Sequence, residues 1–192
     1  MRKHTGMVLR TLGVGLGTLL LGSFGAVSAS AGATASSYGP RYGAFHIAFP
    51  TAPKSQSNTA GVLAGFPAKT VTTATAYWVS PVADPLSSSA STPPPPTYLV
   101  VVGKVKSAAS ASKFTATAHQ ISGATAVTVN GAKGYKFSGT EKQLNPSSTT
   151  LKDPNTIEAF MYVSKGTTVY AVIVVANNHS QVQGFLTSFR PA

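Results

Sequence analysis

Residues 169–175 read V-Y-A-V-I-V-V, a run that is apolar on both faces when extended. In a strand, Val169, Ala171, Ile173 and Val175 point one way, and Tyr170, Val172 and Val174 the other. A strand with no polar face needs one layer above it and another below. The residues that follow can supply one of them. Asn178 is placed to cap a helix in which Val182, Phe185, Leu186 and Phe189 fall at i, i+3, i+4 and i+7. Upstream, Lys165 and Gly166 suit a short hairpin connection from the β-rich run that starts near Thr156. Together these signals predict an α/β domain of layered sheet and helix, organised on the last third of the chain.

The rest of the chain adds strands, one helix and two loops. Phe45, Ile47 and Phe49 alternate with Ala44, His46 and Ala48, and Pro50 stops the run, so a first strand ends there with His46 facing outward. Residues 69–79 form a second β-rich run containing Tyr77 and Trp78. Lone Trp78 fits the core or a lid over its edge, with ligand stacking as the alternative. Residues 80–97 are dense in Ser and Pro, including Pro93 to Pro96, and read as an exposed, stiff loop. Residues 98–102 resume as a strand apolar on both faces. Over 107–121 the period changes: Ala111, Phe114, Ala118 and Ile121 recur at helical spacing, Ser107 can cap the start and Gly123 can end it. His119 belongs on that helix's surface. Residues 126–129 and 135–138 predict a second hairpin through the Asn130–Gly134 segment, and 140–155 read as a loop.

The first 31 residues have the three parts of a secretory signal. Arg2, Lys3 and Arg10 are the basic region, residues 12–24 the apolar region, and Val27-Ser28-Ala29 or Ala29-Ser30-Ala31 the cleavage site. The expected organisation is a signal peptide at 1–31, a flexible leader at 32–42 and one domain at 43–190. Retention of the leader as a membrane anchor is the alternative, but its apolar run is short of the ~20 residues that span comfortably. After cleavage no transmembrane segment is expected, and the location is extracytoplasmic. The 192 residues carry 15 basic and 4 acidic side chains, a net charge of +11. Removing the signal leaves 12 against 4, or +8.

Charge on this scale, spread over only 10% of the chain, argues against a disordered polyelectrolyte, and 43% hydrophobic residues can build a core. No cysteine is present, which excludes a disulfide scaffold, a thiol nucleophile, a thiolate metal site and a lipoprotein anchor. The carboxylates Asp84, Glu141, Asp153 and Glu158 show no pairing pattern, and no Gly-x-Ser-x-Gly elbow accompanies His46, His119 or His179. Metal-ligand spacings and a phosphate loop are likewise missing from the sequence. No catalytic, cofactor-binding or metal-binding residue is therefore put forward. The lysines are dispersed, with Lys104/Lys106 and Lys133/Lys136 the close pairs. These four and Trp78 are the candidate partner-facing residues. Specific nucleic-acid recognition is not expected, because no arginine-rich stripe with interleaved aromatics occurs.

Three stretches carry a resemblance: G-A-F-H-I-A-F-P-T-A-P at 43–53, N-G-A-K-G at 130–134, and T-T-V-Y-A-V-I-V-V followed by F-L-T-S-F-R. Their order resembles a family of exported bacterial proteins related to PsbP, the extrinsic photosystem II subunit, whose α/β/α sandwich a Ran-GTPase release factor shares. The resemblance covers about residues 43–190. It implies an antiparallel sheet sandwiched between helices and mostly non-enzymatic, partner-binding or assembly roles, and it supplies no catalytic residues. The 80–97 loop is longer than that pattern, and scarce acidic ligands do not support manganese or calcium binding. The resulting expectation is a secreted, monomeric, non-catalytic binding or assembly module of the bacterial cell envelope without a cofactor, its partner an envelope protein or an anionic polymer. The alternatives are an envelope-polymer hydrolase and an electrostatic adhesin for anionic polysaccharide or nucleic acid.

Overall fold

A computed structural model describes residues 36–39, 44–57, 70–83, 85, 95–121, 123–144 and 156–192. The expected signal segment at 1–31, residues 84 and 86–94 of the Ser/Pro-rich stretch, and residues 145–155 lie outside the described residues. In chain order the elements are β1 (Ser36–Tyr38), β2 (Phe45–Phe49), β3 (Lys54–Ser57), β4 (Val71–Val79), β5 (Thr97–Val105), α1 (Ala108–His119), β6 (Thr125–Val129), β7 (Ala132–Thr140), α2 (Glu141–Leu144), β8 (Ile157–Lys165), β9 (Thr168–Ala176), α3 (His179–Ser188) and β10 (Arg190–Pro191). Seven strands form one antiparallel sheet in the order β3-β4-β5-β9-β8-β7-β6. A small second sheet, β1-β2-β10, lies over it.

The two-faced strand does what its sequence predicts. Tyr170, Val172 and Val174 on β9 pack with Phe45, Ile47 and Phe49 of β2 and with Val182, Phe185 and Leu186 of α3. Val169 and Ala171 face the opposite way, into a cluster with Ala111, Phe114 and Ala118 of α1. The large sheet therefore lies between α1 on one side and α3 with the small sheet on the other. Aromatic rings dominate both layers. Phe185 meets Tyr98 at 4.9 Å and Phe49 at 5.3 Å between ring centroids. Beneath α1, Phe137 and Tyr162 both stack on Phe160 at 5.3 Å.

Local chemistry sets the element ends. The Ser107 Oγ accepts from Ser110 N–H at 3.2 Å, and Asn178 Oδ1 accepts from Ser180 N–H at 2.7 Å, the expected caps of α1 and α3. Asn130 and Gly131 both have positive φ, 46° and 80°, as a type I′ two-residue hairpin requires. This turn is tighter than the five-residue connection expected, and β7 starts at Ala132. Pairing of Lys165 with Thr168 places the β8–β9 turn at Gly166 and Thr167, one residue later than Lys165–Gly166. The helix α1 stops at His119, before Gly123.

Three short strands and one short helix depart from the sequence reading. Ser36–Tyr38, inside the stretch expected to be a flexible leader, pairs with β2, and the Tyr38 ring packs on Phe49 and Tyr77 at 6.0 Å each. The strand β3 reads K-S-Q-S, which has no apolar period to detect, and is held by its ladder to β4. The two-residue β10 pairs with β2, and Ala48 N–H donates to Ser188 Oγ at 3.0 Å, tying the ends of the domain together. Within the expected 140–155 loop, Glu141–Leu144 is helical.

Burial of tyrosines makes the fold sensitive to alkali. Desolvation pushes the Tyr162 phenol up from 10.0 to about 12, and it also raises Tyr98, Tyr170 and Tyr77. A phenol that must stay neutral when folded contributes its full stability below the unfolded value. That contribution is lost as pH rises from 10 through 12, and for Tyr162 amounts to about 2–3 kcal/mol. Unfolding midpoints should hold steady up to about pH 9 and fall steeply above 10. In Tyr162→Phe the fall should be shallower; an unchanged slope would mean that the ring is not buried as described.

Candidate functional site

The sheet register gathers lysines that lie far apart in sequence. Lys104 near the end of β5 pairs with Thr168 at the start of β9, and Lys165 pairs with the same Thr168 from the other side. Lys104, Thr168 and Lys165 thus share one face, and the Lys104 ammonium donates to Thr168 Oγ1. One strand further, Lys133 pairs with Ser164, beside Lys165. Lys106 follows directly after β5. With neighbouring strands about 4.8 Å apart, the backbone positions of Lys104, Lys165 and Lys133 fall within about 15 Å along one end of the sheet, Lys104 and Lys165 on the α3 side and Lys133 on the α1 side. All four lysines are exposed. Two acidic positions lie at the other end of the sheet: Glu158 is the second residue of β8, and Glu141 follows the last residue of β7 in the chain.

Lys133 and Lys136, close in sequence, separate in the fold. Lys136 pairs with Met161 on the α3 side of the sheet, whereas Lys133 belongs to the opposite face. Lys136 lines a groove of about 520 Å³ between the β6–β7 hairpin and α3. Val127, Val129, Met161 and Leu186 contribute apolar surface, and Lys136 and Arg190 supply the charge. Arg190 Nη1 donates to the carbonyls of Thr187 and Phe189 at the end of α3. Its Nη2 and Nε remain for other partners. At the mouth, Asn130 Nδ2 donates to Pro191 O at 2.7 Å and pins the hairpin turn to the C-terminal strand.

The remaining candidates from the sequence fall elsewhere. Trp78 is 5% exposed and packs in the cluster beneath α1, a core position rather than a partner-facing one. Its indole Nε1 is buried and makes no hydrogen bond. Three histidines sit on three different elements: His46 on β2 beside Arg190, His119 at the end of α1 with its ring 4.7 Å from Tyr135, and His179 at the start of α3, while His4 lies outside the described residues. The fold does not bring them together, and Asp153 lies outside the described residues. Among the described residues no three His, Cys, Asp or Glu side chains group as metal ligands, and no helix is long and apolar enough to cross a membrane.

No protein-family model matches this chain, and no curated protein matches it. A solved structure from Bacteroides thetaiotaomicron VPI-5482 aligns with a TM-score of 0.47 at 5% identity, covering 82% of this chain and 48% of that one. The chain thus spans about half the length of that protein. A likeness this distant identifies neither the family nor the role. The lysine end and the β6–α3 groove stand on their own geometry.

Proposed function

We propose that this chain is a non-catalytic binding module of the bacterial cell envelope, exported by its N-terminal leader, that docks on an anionic polymer through the lysine-bearing end of its sheet. The gathering of Lys104, Lys106 and Lys165 at one end of the sheet, with Lys133 at the same end on the other face, carries this reading. Cations gathered at this end, with Glu158 at the other end of the sheet, create a local positive field, which attracts a polyanion and orients its approach. The PsbP-like resemblance, with its exported and mostly non-enzymatic members, supports the same role.

The experiment uses the protein recovered from the envelope fraction of its own cells, with its intact mass giving the leader's fate. Binding to a purified anionic wall polysaccharide is measured from ~50 to ~200 mM salt, beside single-stranded DNA of mixed sequence. Affinity should fall at least tenfold across that range. The quadruple variant Lys104→Ala, Lys106→Ala, Lys133→Ala, Lys165→Ala should lose binding and most of the salt slope. No sequence preference is expected on DNA. Equal binding by the quadruple variant, or an affinity indifferent to salt, rules the reading out.

A further inference from the structure

The two edges of the large sheet are built differently. β3 is short, fully exposed and begins with Lys54, features that discourage pairing with another chain. β6 reads T-A-V-T-V, with high strand propensity and neither charge nor proline, and no described strand pairs with its outer edge. The two-residue turn at Asn130–Gly131 makes Val129 and Ala132 a hydrogen-bonded pair. Alternation then turns the N–H and C=O groups of Val127 and Thr125 toward β7, and those of Thr128 and Ala126 outward. These outward groups are a template for one more strand.

The groove lies beside that template. Alternate side chains of an added strand would fall on the α3 side of the sheet, over Val127, Val129 and Leu186, with Lys136 and Arg190 within the same groove. No carboxylate lines it. We infer that β6 and this groove accept an extended acidic segment of a partner protein as an eighth strand, with backbone bonds to Ala126 and Thr128 and its carboxylates on Lys136 and Arg190. Charge favours this occupant over a second copy of the chain, which is itself strongly basic and would bring its own Lys136 and Arg190 to the contact. The inference rests on the edge and the groove and is independent of the lysine end.

Seven-residue peptides selected from a randomised display library on the intact protein, measured by fluorescence anisotropy, provide the test. The selected peptides should alternate apolar residues and carry at least one Asp or Glu. Thr128→Pro removes an outward N–H while sparing the β7 ladder, and should weaken binding at least tenfold; Thr128→Val keeps the N–H and should bind as the parent does. The double variant Lys136→Ala, Arg190→Ala should abolish the preference for the acidic peptide over its Asn/Gln counterpart. Should Thr128→Pro fail to fold, N-methylation of alternate peptide residues reads the same bonds on the parent protein, and must cost at least tenfold in one of the two registers. Unchanged binding in Thr128→Pro, no cost of N-methylation in either register, equal affinity for the neutral peptide, or a selection without binders would each overturn the inference. A dimer in sedimentation that Thr128→Pro dissociates would assign the edge to a second copy instead, and would overturn it too.

Discussion

Replacing Phe185 with alanine is expected to lower the unfolding free energy by about 3–5 kcal/mol. The ring is buried at the centre of the α3 layer, edge-on to Tyr98 on β5 and Phe49 on β2, so three elements lose contacts at once. The cavity left by truncation cannot collapse easily, because the sheet backbone under it is fixed by ladders on both sides. In a chain of this size the loss should appear as a fall in Tm of roughly 10 °C or more. Urea melts of the parent and Phe185→Ala decide the matter. A change below about 1 kcal/mol would show that α3 is not docked on β9 as described.

Gly134→Ala should be nearly as damaging, by about 3 kcal/mol, although it adds a single methyl group. Gly134 faces Val163 across the β7–β8 ladder. A Cβ there would overlap the Tyr162 carbonyl oxygen and lie 2.8 Å from the Val163 Cα, so backbone rather than a yielding side chain must move. β8 carries β7 on one side and β9 on the other, and a shift at this point disturbs the attachment of the β6–β7 hairpin. Gly184→Ala is the matched control. A Cβ at that exposed helical position meets nothing within 4 Å, and the substitution should stabilise by about 0.5–1 kcal/mol. The same urea melts compare them, and equal effects of opposite expectation at the two glycines would refute the β7–β8 register.

Local patterns were enough to place the elements that carry strong periodicity. The two-faced apolar run at 169–175 demanded layers on both sides, and the fold puts α1 over one face and α3 over the other. The Ser107 and Asn178 caps and the outward histidines on β2 and α1 were legible for the same reason, since each depends on neighbours within about four residues. Elements without their own period were not. Ser36–Tyr38, Lys54–Ser57 and Arg190–Pro191 are strands only because another strand lies beside them, which no short window of sequence encodes. Pairing register decided the surface as well. Lys104 and Lys165 are 61 residues apart and flank one threonine, while Lys133 and Lys136 are three apart and face opposite ways. The sequence by itself determined which residues are basic and which strands are buried. Only the tertiary structure decided which cations meet and which edge is left open, because both follow from strand order and register.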